Sequence, residues 1–170
     1  MLVPPFVIYP HAALCIKAAP RPVDAAMLAA GAALLAAAQE VQAYGLAAAH
    51  LGFDQPLVVI SVSADTTRRD YRLLYNPEIL RQSDETDIAP EGSVSMPGIE
   101  APVKRSRRVD LTYDDANGQQ HSDTVEHFVA RVAQHEIDQM NGMFFLRRIS
   151  LVKRDIAVRK YYKGLNGTNP

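Results

Sequence analysis

The sequence predicts an α+β fold, and three features of the chain support this prediction. An alanine-rich segment from Asp24 to about Tyr44 has the composition of a strong helix former. Segments of strand length follow it, with β-branched or alternating apolar residues. A helical pattern then runs from about Thr124 to Asn141. Strands followed by a central helix and a basic tail are typical of α+β proteins.

The composition predicts one globular domain over residues 1–170, with a basic C-terminal tail from about residue 151. Apolar residues make up 48% of the chain and charged residues 22%, which is ordinary for a globular protein and excludes a disordered one. The formal net charge is −1. The whole molecule therefore lacks a field that would attract nucleic acid or an anionic membrane.

The cysteine content and the apolar runs predict a cytoplasmic protein. Cys15 is the only cysteine, which excludes an intramolecular disulfide and agrees with a reducing compartment. We expect its side chain to be a small buried apolar group. The N-terminal residues lack the basic start and long apolar core of a signal peptide. The longest apolar run, Ala25–Ala38, is too short to cross a bilayer, and we expect a core helix there.

The N-terminal part of the chain is predicted to be an extended arm followed by the first helix. Residues 1–23 are rich in proline and have no sustained periodicity. Asp24 is a suitable N-cap for the alanine-rich segment, because its carboxylate can accept a free backbone N–H of the first turn. Gly45 ends the helical pattern.

Two strands are predicted next. Leu57–Val62 is a β-branched run of strand length, and Tyr71–Leu74 is a second candidate strand. We expect the second strand to stop before Asn76-Pro77. The polar segment from Gln82 to Pro90 is expected to be an exposed loop.

A hairpin and a central helix are predicted in the second half. Val109, Leu111 and Tyr113 alternate with polar residues, and the Asn-Gly signal within Asp115–Gly118 indicates a tight turn. The periodicity then changes from two to about 3.6 residues, which is typical of a helix. Gly142 is a suitable residue to follow its C-terminus.

The stretch from His135 to Gln139 carries the clearest chemical signal. A metallohydrolase helix places two ligands at positions i and i+4 on one face, with a glutamate between them that takes a proton from the reacting water. Here His135 and Glu136 match that pattern, but Gln139 occupies the second ligand position. Taken alone, this string favours a surface His-Glu pair over a metal site.

Two further segments strengthen the metallohydrolase interpretation of residues 135–139. Residues 91–98, EGSVSMPG, resemble the E-G-C-L-S-x-P-G motif of peptide deformylases, and residues 43–50, AYGLAAAH, resemble G-x-G-L-A-A-x-Q. The helix resembles the family's Q-H-E-x-D-H motif. All three occur in the family's order, and the resemblance extends from residue 9 to about residue 154.

The resemblance implies a fold, a reaction and a set of site residues. The implied fold is the deformylase α+β fold, with antiparallel sheets around the central helix. In that family, the motif cysteine and both helix histidines bind a divalent metal, usually iron, and the glutamate serves in removing N-formyl groups from nascent formyl-methionyl peptides. His135 then matches a metal ligand and Glu136 the acid or base. The family's signature glutamine, whose position is His50 here, and the backbone N–H after the cysteine, here the Val94 N–H, stabilise the developing oxyanion.

The resemblance also implies where peptides and partners would bind. Gly45 and Leu46 match substrate-binding residues of the family, and Arg105 matches an arginine near the peptide groove. Arg105 belongs to a basic run, for which a solvated edge strand is the simpler expectation. Some deformylases contact the ribosome through their C-terminal element, so ribosome contact is one expectation for the basic tail and a solvated tail is the other.

Three departures from the motifs fall on the chemistry itself. Ser93 replaces the cysteine, Gln139 the second histidine, and His50 the glutamine. A thiolate supplies charge and binds zinc or iron at about 2.3 Å, whereas a serine hydroxyl is neutral and a glutamine carbonyl is a hard neutral oxygen. We therefore predict a degenerate homologue that keeps the peptide groove but binds Fe, Zn or Ni weakly or not at all.

These substitutions allow three arrangements of the site. In the first, His50, Ser93, Glu136 and Gln139 form a metal-free, hydrogen-bonded network. In the second, His50 turns inward as a replacement ligand and rebuilds an active amide hydrolase. In the third, Ser93 is a nucleophile with His135 as its base, although the sequence has no G-x-S-x-G elbow and no clear third triad member.

Overall fold

The structure is a computed structural model that describes residues 5–167 of the chain. Within that range it contains three α-helices: α1 (Ala25–Val41), α2 (His127–Met140) and α3 (Leu151–Asn166). The same range contains seven strands: β1 (Gly45–Ala47), β2 (Leu57–Ser61), β3 (Tyr71–Gln82), β4 (Thr86–Gly92), β5 (Glu100–Ser106), β6 (Arg108–Asp114) and β7 (Gln120–Glu126). The predicted α+β class is confirmed.

All strand pairs in these two sheets are antiparallel. The larger sheet has the order β1-β2-β3-β6-β7, and the smaller consists of β4 and β5. The predicted hairpin is confirmed, since β6 and β7 are joined by a turn in which the Gly118 N–H donates to the Asp115 carbonyl. β1 lies at the edge of the larger sheet, and among residues 5–167 one side of its backbone has no strand partner.

Strand β2 is buried on both faces because it lies between two helices. Val58 and Ile60 pack in one apolar cluster with residues of α2. Leu57 and Val59 belong to a second cluster on the opposite face, with residues of α1. This two-sided burial explains why β2 is a continuous apolar run rather than an alternating one.

Helix α1 begins at the predicted cap. Asp24 Oδ1 accepts a hydrogen bond from the Met27 N–H at 2.8 Å. The helix ends at Val41, before the predicted Tyr44, because Gln42 adopts the left-handed conformation with φ 53°. The chain then turns into β1 and leads toward the interior of the molecule.

The predicted end of the second strand is wrong. β3 continues through Asn76 and Pro77 to the end of its range, because Asn76 takes a φ of 47° and the pairing with β6 shifts register there. The Asn76 amide donates to the Arg21 carbonyl at 2.7 Å and to the Asp114 carboxylate at 2.8 Å. These long-range bonds stabilise a kink that would otherwise end the strand.

The predicted loop over residues 82–90 is also wrong. Most of it belongs to β4, which pairs with β5 along its whole length. Glu91 is the one buried residue of β4, so the strand has no apolar alternation that would identify it in the sequence. The predicted start of the central helix at Thr124 is wrong as well, because that residue lies in β7.

The C-terminal segment is a helix rather than a solvated tail. Ser150 caps α3 by accepting the Lys153 N–H, and Ala157 and Tyr161 are buried against the third apolar cluster. The Tyr161 hydroxyl donates to the Tyr9 carbonyl at 3.2 Å. α3 therefore holds the N-terminal arm, while its remaining faces are exposed.

The composition led to two expectations, one for the Cys15 side chain and one for helices that could cross a membrane. The Cys15 thiol is exposed, so the expectation of a buried side chain is wrong. Over residues 5–167, no helix combines the length and the apolar composition needed to cross a bilayer.

Candidate active site

A cavity of about 360 Å³ lies between β1, the end of β4 and helix α2. Seven of the predicted site residues line it together: Gly45, Leu46, His50, Ser93, Val94, His135 and Glu136. Its remaining walls include Tyr44, Phe128, Arg131 and Val132. The cavity thus has an apolar end, where the Tyr44 and Phe128 rings meet edge to face with centroids 4.7 Å apart, and a polar end.

His135 is held in a defined tautomer. Its Nδ1 lies 3.0 Å from Glu91 Oε2, and because a carboxylate only accepts hydrogen bonds, Nδ1 carries the proton. Burial lowers the pKa of His135, but the Glu136 and Glu91 carboxylates outweigh it, and the pKa is raised. In the neutral ring, Nε2 is left with a lone pair.

His50 has the opposite tautomer. The Ala47 backbone N–H donates to its Nδ1 at 3.0 Å, so the neutral ring must carry its proton on Nε2. The side chain is fully enclosed, and burial, followed by the charge of His135, lowers its pKa to about 3. Its Nε2 is buried and has no hydrogen-bond partner in the part of the chain that the structure describes.

Glu136 is the second side chain with an unsatisfied buried atom. Its Oε2 lacks a hydrogen-bond partner among the described residues. Burial and the Glu91 charge raise its pKa to about 7, although the attraction of His135 acts in the opposite direction. The 3.8 Å distance between Glu136 Oε2 and His50 Nδ1 is not an ion pair, because His50 is neutral at ordinary pH. Two unsatisfied polar atoms in a cavity wall indicate a site for a polar ligand group or water.

Ser93 and Gln139 differ in where they point. Ser93 lines the cavity, and its Oγ accepts the Ser95 N–H at 3.1 Å. No hydrogen bond joins Ser93 to His135 within residues 5–167, so the arrangement lacks the contact that a serine nucleophile needs. Gln139 lies outside the lining residues, and its Nε2 donates to the Leu14 carbonyl at 2.8 Å.

Arg105 takes part in a buried ion-pair network instead of a solvated edge, so that expectation is wrong. Its guanidinium binds Glu91 through two bonds of 2.8 and 2.9 Å and reaches Asp138 at 2.5 Å. Arg105 is also absent from the residues that line the cavity. The structure therefore places it behind the wall, where it orients Glu91.

Arg131 was missed by the sequence analysis. It donates to Glu91 Oε1 at 3.0 Å and also contacts Asp87, and it lines the cavity. The signal was its position four residues before His135, which places both on one face of α2. Burial raises the pKa of Glu91, but hydrogen bonds and charges from His135 and Arg105 outweigh it and lower the pKa to about 2. Glu91 is thus an anion that the arginines and His135 share.

The residues present do not fit the transition-metal site that the deformylase motifs imply. A metal-binding histidine coordinates through one nitrogen and donates the other N–H to a partner. His135 has this arrangement, but His50 does not, because its Nδ1 already accepts a hydrogen bond. Gln139 is turned to Leu14, and Ser93 offers a neutral hydroxyl. Over the described residues, no group of three His, Cys, Asp or Glu side chains is arranged to hold a metal.

Gly45 sets the close approach of β1 to α2. A Cβ at this position would lie 2.7 Å from Val132 Cγ1 and 2.8 Å from Glu136 Cγ. We expect Gly45→Ala to lower the free energy of unfolding by about 1–3 kcal/mol, because overpacking displaces these side chains. Urea unfolding measures this. In the control Gly164→Ala, the new Cβ meets nothing within 4 Å, and stability should stay equal or rise by up to about 1 kcal/mol. Equal stability of Gly45→Ala and the parent would contradict the tight approach.

Comparison with known proteins identifies one family. A family model described as polypeptide deformylase matches residues 3–155. A peptide deformylase-like protein of Agrobacterium fabrum is 38% identical over 168 residues, covering 98% of this chain and 99% of that one. The crystal structure of peptide deformylase from Ehrlichia chaffeensis in complex with actinonin has a TM-score of 0.87 at 29% identity, covering 96% and 98% of the two chains.

A third similarity concerns a structure with a bound peptide. The Met-Ala-Ser-bound class I type b peptide deformylase from Acinetobacter baumannii has a TM-score of 0.80 at 25% identity, covering 87% of this chain and 99% of that one. The family match spans most of the sequence, and the structural matches span nearly all of the fold. The chain therefore belongs to the polypeptide deformylase family and has its α+β fold.

Proposed function

We propose that this protein is a deformylase homologue that binds the N-terminal part of a peptide but hydrolyses N-formyl groups weakly or not at all. The observation that carries the proposal is the orientation of Gln139. At this ligand position of a metal-dependent family, Gln139 does not line the cavity, and its side-chain amide nitrogen donates to the Leu14 carbonyl. Ser93, at a second ligand position, supplies no charge to offset a cation.

The tautomer of His50 supports the same proposal. Recruiting His50 as a ligand through Nε2 would require losing the proton that its Nδ1 contact with Ala47 places there. With Nε2–H intact, His50 is a hydrogen-bond donor that faces the cavity. Together with the backbone N–H of Val94, it could hold a carbonyl oxygen, the role of an oxyanion donor without a metal beside it.

The groove retains what peptide binding requires. β1 is an edge strand whose free backbone can pair with an extended peptide. The apolar end of the cavity, formed by Tyr44, Phe128 and Val132, suits an apolar first side chain such as methionine. The peptide bound to the Acinetobacter baumannii relative, Met-Ala-Ser, begins with such a residue.

The alternative is a working amide hydrolase with a rebuilt site. Two observations favour it: His135 donates Nδ1–H to a carboxylate, as metal-binding histidines do, and Glu136 has a pKa of about 7, which suits a general base. The same two features also follow from burial and from the Glu91 network. A measurement of metal and activity on one sample separates the two functions.

We expect the unmodified protein, purified without chelator, to hold little iron, zinc or nickel and to bind formyl-Met-Ala-Ser without hydrolysing it at rates typical of enzymes. Elemental analysis gives the metal content, calorimetry the binding, and mass spectrometry the fate of the formyl group. Enzyme-like turnover that disappears with Glu136→Ala would establish the hydrolase instead. Absence of binding to formylated, acetylated and free Met-Ala-Ser would remove the peptide-binding proposal.

A further inference from the structure

A second cavity continues the candidate site toward α3. It has a volume of about 670 Å³ and shares Pro90, Gly92, Ser93 and Glu100 with the first cavity. Its far side includes Lys160 of α3. The shared residues place the two cavities side by side, and the second extends from the end of β4 across the β4-β5 sheet to the helix. We refer to the two adjacent cavities together as the groove.

The floor of this extension is the outward face of the two-stranded sheet. Pro90 pairs with Pro102, and Gly92 pairs with Glu100, across the β4-β5 register. The residues between them, such as Glu91 and Ala101, face the interior and are buried. Since side chains alternate along a strand, the outward face here carries Pro90, Gly92, Pro102 and the charged Glu100. It offers a peptide a mainly small and apolar surface with one carboxylate.

Two charged side chains line the extension, and neither has an ion-pair partner among residues 5–167. Glu100 lies at the wall that both cavities share, whereas Lys160 lines only the second cavity. The helix that carries Lys160 is held in place, because Ala157 and Tyr161 on either side of it are buried. The groove thus has a fixed order of charge, negative near the candidate site and positive farther away.

We propose that this groove selects peptides by a carboxylate placed downstream of the first residue, with Lys160 as the group that binds it. The inference rests on the proposed peptide-binding function. Glu100 repels a carboxylate that lies near the first cavity, and Lys160 attracts one that lies at the far end. The carboxylate can come from an acidic side chain or from the C-terminus of a short peptide.

The test is a glutamate scan measured by calorimetry. Formyl-Met-Ala-Ser-Ala-Ala with an amidated C-terminus is the parent, and one glutamate replaces each of positions 2 to 5 in turn. At low ionic strength, we expect the peptide with glutamate at one downstream position to bind about threefold more tightly than the parent. The peptide with glutamate near position 2 should bind more weakly than the parent. The gain should fall at high ionic strength, because Lys160 is exposed.

Variants and a free C-terminus complete the experiment. Lys160→Glu should remove the gain in affinity at the downstream position and favour a lysine there. Lys153→Glu makes the same change of charge on the same helix outside the groove and should leave that gain unchanged. Comparing amidated with free C-termini over the same lengths distinguishes an acidic side chain from a terminal carboxylate.

Each result decides the inference. If the peptides bind but no glutamate position binds more tightly than the parent, the role of Lys160 is overturned and peptide binding stays in place. A gain in affinity that survives Lys160→Glu has the same consequence. If no member of the series binds the unmodified protein, the proposed function fails and this inference fails with it.

Discussion

The variant Ser93→Cys with Gln139→His should hold a divalent transition metal at near-stoichiometric occupancy, unlike the unmodified chain. The cysteine supplies a thiolate that offsets the positive charge, and the new histidine adds a second imidazole beside His135. A histidine at position 139 can still donate Nδ1–H to the Leu14 carbonyl that Gln139 now contacts, which leaves Nε2 for the metal. Elemental analysis of protein purified without chelator measures the occupancy.

Hydrolysis of formyl-methionyl peptides should follow the metal in this variant. A divalent cation would lower the pKa of a water at the site towards neutrality, and Glu136 would then be the base that takes its proton. Adding His50→Gln tests whether the oxyanion donor of the motif is also required. Glu136→Ala in the restored background should lower the rate by about 100-fold or more.

The single variants are the matched controls for this experiment. Ser93→Cys or Gln139→His alone should gain little metal and little activity, because two ligands hold the cation poorly. If the double variant has full metal occupancy but no hydrolysis, the activity was lost through residues elsewhere in the groove and not through the metal ligands. A single variant as active as the double one would contradict the ligand argument.

The second large effect is expected from Glu91→Gln. This carboxylate accepts bonds from Arg105, Arg131 and His135 and is itself buried. Removing its charge leaves buried cations without their shared anion, and breaking such a pair costs about 3–5 kcal/mol of stability. Because the lowered pKa of about 2 lies below its ordinary 4.5, the carboxylate stabilises the fold above pH 4.5. The difference from the parent should shrink as the pH falls from 4.5 towards 2.

Urea unfolding at several pH values measures this prediction. The control is Glu85→Gln, whose partner Arg107 lies at 2.5 Å but whose side chain is exposed. Its loss should cost no more than about 1 kcal/mol, because surface ion pairs contribute little. If Glu91→Gln is as mild as Glu85→Gln, the buried network does not depend on that charge.

Local chemistry made several elements predictable from the sequence. The cap at Asp24, the turn at Asp115–Gly118 and the continuous apolar run of β2 depend on neighbours within a few residues or on composition alone. The motif order predicted the family for the same reason, since the motifs are short and ungapped. By contrast, β4 was missed because Glu91 is its one buried residue, and the exposed polar strand is stabilised by its partner β5.

The sequence by itself determined which residue types stand at the inherited chemical positions, and it identified the three substitutions. Only the tertiary structure decided what those residues do. Whether His50 binds a metal or donates a hydrogen bond depends on the Ala47 N–H at its Nδ1, and the direction of Gln139 depends on the Leu14 carbonyl, 125 positions away in the chain. The tautomer of His135 and the orientation of Gln139 are set by contacts between segments distant in sequence, and such contacts leave no local pattern in the order of residues. The contact between Ala47 and His50 spans only three residues, but it depends on the short helical turn Ala48–Leu51 that the fold forms there.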